Sequence, residues 1–284
     1  MDRANDDDVV LVGVGPHPTE PILQDLLSQA GVLAAGPVQS LAAGAPWHAS
    51  DVMLAALTET AARDLKRLMT ETPETDLALI PAANRRKRFL ICDMDSTIIE
   101  QECLDELADF AGLKAEIAAI TERAMRGELN FEDALRTRVA RLESLPVETI
   151  ETCFRERITL SPGARMLVGT MAAHGARCLL VSGGFTAFSS RVAAEAGFHG
   201  HHANTLLDDG ERLTGKVAEP ILGREAKLET LNRAVGEYGL SASDALAIGD
   251  GANDLAMIGA AGLGIAYRAK PIVAADATAA IQYT

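Results

Sequence analysis

The stretch 89–100, FLICDMDSTIIE, decides how the rest of the chain is read. Phe89, Leu90, Ile91 and Cys92 form an apolar run of strand type that ends abruptly in two carboxylates, Asp93 and Asp95. The hydroxyls of Ser96 and Thr97 follow. Apolar residues without polar alternation suit a strand covered on both faces. Acids at the mouth of such a strand are costly unless something pairs with them, and a metal ion is one such partner.

Working outward, the same pattern recurs. RCLLVSGG (177–184), DALAIGDG (244–251) and LGIAY (263–267) are apolar runs, and the first two end in glycine- or acid-rich turns. Helical spacing is found at 186–197, 225–239 and 252–262. Alternating strands and helices predict a doubly wound parallel sheet with helices on both faces. Ligands of such sheets bind at the carboxyl ends of the strands. Residues 100–160 interrupt the alternation with helical segments alone, which predicts an inserted cap over those strand ends. Caps exclude water and carry substrate selectivity.

Residues 9–81 read as a separate small α+β unit. VVLVGVG (9–15), a weaker strand within 33–43, DVMLAAL (51–57) and DLALIP (76–81) alternate with helices at 19–31 and 58–69. The order β-α-β-β-α-β is the ferredoxin-like pattern. AANRRKR (82–88) reads as a linker whose basic run is a solvated edge. The expected organisation is a domain at 1–84 and a second at 85–284, with the cap at about 100–160.

Composition narrows the function classes. Nearly half the residues are apolar (48%), a globular profile. The net charge of −14 argues against a duplex nucleic-acid binder, and any anion site must be built locally. No apolar run is long enough to span a bilayer, and MDRANDDDVV is acidic where a signal peptide would be basic, so a cytoplasmic protein is expected. Cys92, Cys103, Cys153 and Cys178 form no CxxC pair and read as plain thiols.

Three strand ends offer chemistry: Asp93 and Asp95; Ser182, Gly183 and Gly184; and Asp250, Gly251, Asn253 and Asp254. Lys227 stands on the helix before the third. Together they supply acids for Mg²⁺, a hydroxyl and backbone N–H groups for phosphate, and a lysine point charge. That inventory suits phosphoryl transfer, with an aspartate available as nucleophile.

These residues resemble the motifs of the haloacid-dehalogenase-like phosphatases, and within them the branch that hydrolyses O-phospho-L-serine. The resemblance rests on DMDST (93–97), VSGG (181–184), Lys227 and GDGANDLAMI (249–258), and covers roughly 89–282. It implies the last step of serine biosynthesis, with Mg²⁺ as cofactor. Asp93 would be the nucleophile and Asp95 the acid and base. Ser182 and Gly183 would hold phosphate oxygens, and Lys227 would neutralise charge. Asp250, the Asp93 carboxylate and the Asp95 carbonyl would bind the metal, with Asn253 and Asp254 supporting phosphate and metal from behind. In the cap, Glu102 would meet the substrate ammonium, Arg138 its carboxylate, and Met125 and Phe131 would line the pocket. A related phosphatase or phosphotransferase acting on another small phosphomonoester is the alternative. The N-terminal unit is similar in topology to ACT-type modules, which implies either an amino-acid effector site or a homodimer contact.

Other readings of the same residues fail on chemistry. As an EF-hand loop, DMDSTIIEQECL would need glycine at Ile98 and glutamate at Leu104. GERLTGKV (210–217) has Val217 where a P-loop needs a hydroxyl, and reads as an exposed hairpin. HGHH (199–202) lacks partner ligands for zinc and reads as a surface turn.

Overall fold

A computed structural model describes residues 8–44, 46–55, 57–126 and 128–284, without the side chains of Met125 and Arg224. The acidic residues 1–7 and the pocket role expected of the Met125 side chain therefore lie outside the described residues. The chain forms two units. One comprises 1–86, 265–268 and 277–284; the other comprises 87–264 and 269–276.

The smaller unit has the expected β-α-β-β-α-β order: β1 (Val9–Gly15), α1 (Thr19–Ala30), β2 (Gln39–Ala42), β3 (His48–Leu54), α2 (Glu59–Glu71) and β4 (Asp76–Pro81). Its antiparallel sheet runs β2-β3-β1-β4. α1 stops at Gly31, whose left-handed φ of 63° lets its N–H reach Leu27 O and Ser28 O. Leu11, Leu23, Leu26, Leu27, Val52, Leu54 and Leu65 form the core between helices and sheet. The third strand was expected at 51–57 but begins at His48 and ends at Leu54. Pairing decides this: β1 continues to Gly15, and Gly15 lies opposite His48. Asp51 is thereby buried, and Arg85 of the basic run pairs with it at 2.5 Å.

The larger unit is built on β5 (Phe89–Cys92), every residue of which is buried. The cap follows as α3 (Cys103–Asp109), α4 (Lys114–Met125), α5 (Phe131–Ala140) and α6 (Glu148–Arg157). Asn130 caps α5 by accepting from Asp133 N at 3.1 Å. The two ends of the insert are zipped together, with Glu100 N donating to Thr159 O and Ser161 N to Ile98 O.

The chain continues through α7 (Ala164–Ala173), β6 (Arg177–Phe185), α8 (Thr186–Ala196) and β7 (Gly200–Asn204). Next come the hairpin β8 (Leu206–Asp208) and β9 (Leu213–Val217), then α9 (Arg224–Glu237) and β10 (Ala245–Gly249). α10 (Leu255–Ala260), β11 (Leu263–Tyr267), α11 (Pro271–Asp276) and β12 (Ala279–Ile281) complete it. Ile265, Ala266 and Tyr267 of β11 pair in parallel with β12.

HGHH is not a surface turn: Gly200, His201 and His202 open β7, pairing with Leu179, Leu180 and Val181 of β6. The segment 252–262 is not one helix but a 3₁₀ turn (Ala252–Asp254) leading into α10. The hairpin at 206–217 is present and serves the cap. Ser144 N donates to Leu213 O, Leu213 N to Leu145 O and Val147 N to Glu211 O, at 2.8–2.9 Å.

Parallel strands of the larger unit are ordered β10-β5-β6-β7. Cys92 lies opposite both Leu180 and Ile248, so Asp93, Ser182 and Asp250 emerge at one edge of the sheet. The chain leaves β5 toward β6 and β7 and returns on the other side at β10, so this edge is a topological switch point.

Gly262 shows how closely the turns around the sheet are packed. A Cβ there would lie 2.1 Å from Ser243 O and 2.8 Å from Lys87 Nζ. Gly262→Ala is expected to cost about 1–3 kcal/mol, measured as a lower urea midpoint with an unchanged denaturant slope.

Candidate active site

Asp93 leaves β5 with its N–H bonded to Ile248 O, which fixes it between β5 and β10. Its Oδ1 accepts from Met94 N at 2.7 Å, and its Oδ2 pairs with Lys227 Nζ at 2.8 Å. Lys227 reaches in from α9, fully buried, and also pairs with Asp254 Oδ1 at 2.7 Å. Burial works against the ammonium, but Asp254 and Asp93 outweigh it and raise its pKa. Asp254 Oδ2 accepts from Gly251 N at 3.1 Å. Asp250 Oδ1 accepts from Thr97 Oγ1 at 3.1 Å.

Asp95 points elsewhere. Its Oδ1 accepts from Cys103 N at 2.8 Å and its Oδ2 from Ser182 Oγ at 3.2 Å. A Cβ on Gly184 would lie 2.6 Å from Asp95 Oδ2, so only glycine leaves that carboxylate its place. Burial raises the Asp95 pKa, against its bonds to Cys103 and Ser182. Burial, with Asp254 adding, pushes Asp93 well up although Lys227 pulls it down. Asp250 is pushed up to about 7 by burial and then by Asp254.

Among the described residues, the carboxylates of Asp93, Asp250 and Asp254 lie within 4.8 Å of one another. All-oxygen donors carrying excess negative charge fit a hard divalent cation such as Mg²⁺. Asp254, expected behind the site, is therefore near enough to join the group, but both its oxygens already accept hydrogen bonds. The Asp95 carboxylate is not part of this group.

The cap closes a cavity over these acids. Asp93, Asp95, Asp250, Gly183 and Asn253 line one side; Glu102, Phe131 and Arg138 line the other. Phe131 covers Gly183, where a Cβ would lie 2.6 Å from Phe131 Cζ. Phe131, Ala124 and Asn253 also line a second groove, so the ring separates the cavity from it. Ser96 takes a left-handed φ of 54° and donates from Oγ to Glu102 Oε1 at 2.6 Å. Arg138 is buried, donating from Nε to Ala134 O and from Nη1 to Thr121 Oγ1. Thr121 in turn donates to Asp105 Oδ1 at 2.7 Å.

The structure thus gathers the expected residues whose side chains are described. Ser182, Lys227 and Asp254 stand behind the cavity wall, Ser182 bonded to Asp95, Lys227 to Asp93 and Asp254 to Lys227. Sequence reasoning missed Thr97, Thr121 and Asp105, which hold Asp250 and Arg138. Thr97 stood in DMDST without a role of its own, while Thr121 and Asp105 are ordinary helix residues until their distant partners are known. The four cysteines are buried and free. Burial pushes the Cys153 and Cys178 thiols up to about 12 and about 11, so neither is a nucleophile at neutral pH.

A haloacid dehalogenase-like hydrolase family model matches residues 90–259. The chain belongs to that family. It is 45% identical over 199 residues to a phosphoserine phosphatase of Polaromonas sp., a match covering 68% of this chain and 84% of that one. A HAD family hydrolase from Salmonella enterica serovar Typhi superposes with a TM-score of 0.84 at 28% identity, covering 97% of this chain and 95% of the other. A phosphoserine phosphatase solved as a phospho-aspartyl intermediate analogue superposes at 0.66 with 39% identity, covering 69% of this chain and 93% of that one. In this chain the acids emerge at the carboxyl ends of parallel strands. Among the described residues, no helix is long and apolar enough to cross a membrane.

One pH effect follows from the cap. Burial, then Asp95 and Asp250, push Glu102 from 4.5 up to about 8. Between these values the folded chain keeps a proton that the unfolded chain has released, so stability falls as pH rises through that window. Asp250 adds to the same slope. In EDTA, the calorimetric unfolding midpoint is expected to fall from about pH 5 to about pH 8, and Glu102→Gln to flatten the fall. An unchanged slope in the variant would remove Glu102 as a source.

Proposed function

We propose that the chain is a Mg²⁺-dependent phosphatase that hydrolyses O-phospho-L-serine to L-serine and phosphate. The observation that carries the substrate is the pair Glu102 and Arg138, lining one cavity with Asp93 and Asp95. No ion pair joins the two among the described residues. A carboxyl and a guanidinium in one pocket, not joined to each other, suit a zwitterion, whose ammonium would draw the proton off Glu102 and whose carboxylate would meet the guanidinium.

The chemistry follows from the two aspartates. The Asp93 carboxylate attacks phosphorus, forming an O–P bond as the bond to the serine oxygen breaks. Asp95, its pKa raised by burial, gives its proton to that departing oxygen. As a carboxylate it then takes a proton from water, which attacks phosphorus, releases phosphate and restores Asp93. Ser182 and the Gly183 N–H hold phosphoryl oxygens, and Lys227 offsets charge on Asp93. Asn253 supports the phosphate and Asp254 holds Lys227. The Asp93 and Asp250 carboxylates with the Asp95 carbonyl would hold Mg²⁺, which when bound draws charge from the phosphoryl oxygens. Phe131 excludes water from the pocket.

For the N-terminal unit the same reading assigns an amino-acid effector site or a homodimer contact, in a cytoplasmic protein. Sedimentation of the full chain tests the dimer, and serine titration the effector.

Asp93→Asn is expected to abolish turnover in a chain that remains folded in EDTA, with Asp254 still paired to Lys227; near-normal kcat would sink the mechanism. Arg138→Ala is expected to lower kcat/KM for phosphoserine by ~10–100-fold, the worth of a charged hydrogen bond. The loss on p-nitrophenyl phosphate should be far smaller. Equal losses on both esters would instead favour another small phosphomonoester. Activity should vanish in EDTA and return with Mg²⁺.

A further inference from the structure

We infer that Asn204, which no motif in the sequence singles out, is a positioning residue for the phosphate-binding half of the site. It ends β7 and is 3% exposed. Its Nδ2 donates to Gly183 O at 2.8 Å and to Leu222 O at 3.2 Å, and its Oδ1 accepts from Leu222 N at 2.7 Å. The partners fix the amide's orientation, since a flipped amide would set its oxygen against two carbonyls.

Two consequences meet at the site. Gly183 O belongs to the peptide whose N–H is that of Gly184. With the oxygen pinned by Asn204, that N–H donates to Ser182 Oγ at 2.8 Å. The Ser182 hydroxyl, having accepted there, gives its own hydrogen to Asp95 Oδ2. The bonds run in one sense from Asn204 through the peptide and Ser182 to Asp95, so each polarises the next. On its other side Asn204 grips Leu222, which precedes Gly223. Lys227 N donates to Gly223 O at 3.2 Å in the first turn of α9. One buried amide therefore ties the loop bearing Ser182 to the start of the helix bearing Lys227. It sets the spacing of two phosphate-facing groups while touching neither substrate nor metal.

This rests on the phosphoryl-transfer reading, and the test separates the two. Asn204→Ala removes the amide. Asn204→Asp keeps the shape and the acceptor for Leu222 N but sets an oxygen against Gly183 O. Both are assayed on phosphoserine and on p-nitrophenyl phosphate, and inorganic phosphate affinity is measured by calorimetry, which needs no turnover. The expected result is a fall in kcat/KM of about 10–100-fold on both esters alike, with phosphate affinity weakened as well. The Asp variant should remain folded at the assay temperature. Folded variants within twofold of wild type in kcat/KM and phosphate affinity would overturn the assignment, as would a loss confined to phosphoserine. Failure of both variants to fold would also overturn it, by making Asn204 a folding residue. Wild-type turnover of p-nitrophenyl phosphate but not phosphoserine would refute the substrate and leave the Asn204 comparison intact.

Discussion

A fully buried ammonium between two carboxylates, Lys227 between Asp93 and Asp254, is the constraint on which the rest of the larger unit depends. Taken alone, each of these charges would be expelled from the interior or neutralised. Together they join the end of β5, the turn after β10 and the helix α9. Glycine at 249 belongs to the same arrangement, because a Cβ there would lie 2.4 Å from Asp254 Cγ. Three carboxylates against one ammonium leave two negative charges, which one divalent cation cancels. The larger unit therefore holds an excess of negative charge at the carboxyl ends of its parallel strands.

The strand ends and their acids were legible because a buried parallel strand shows as an apolar run and its polar end as a sudden break. DMDST, VSGG and GDGAND are local patterns, and the structure brings them to one edge. Long-range pairing was less legible. His48 joins β3 because β1 supplies a partner, and His201 and His202 become an edge strand because β6 does. β12 was invisible for a similar reason: its three residues acquire strand geometry from β11. Thr97, Thr121 and Asn204 carry no periodic signature at all; their roles exist only as hydrogen bonds to distant sequence.

Substrate reading and chemistry are coupled through a short path. Asp93 and Glu102 are separated by one tight turn, in which Ser96 accepts an unfavourable left-handed backbone and bonds Glu102 in return. Backbone strain of this kind persists where surrounding contacts over-determine it. Arg138 comes from the other half of the cap and is aimed through Thr121 and Asp105. The two halves meet on one helix, because the chain of contacts from Arg138 ends on Asp105 of α3, which begins directly after Glu102.

The hairpin β8–β9 bears on how the insert moves. Its peptide groups bond the cap at Ser144, Leu145 and Val147, and the insert is zipped again at its neck through Glu100 and Ser161. A lobe moored at two such places has little freedom to pivot as a rigid body. The Phe131 ring, carried on the first turn of α5, is a wall shared by the inner cavity and the outer groove, so the insert held at these two places also sets the position of that wall.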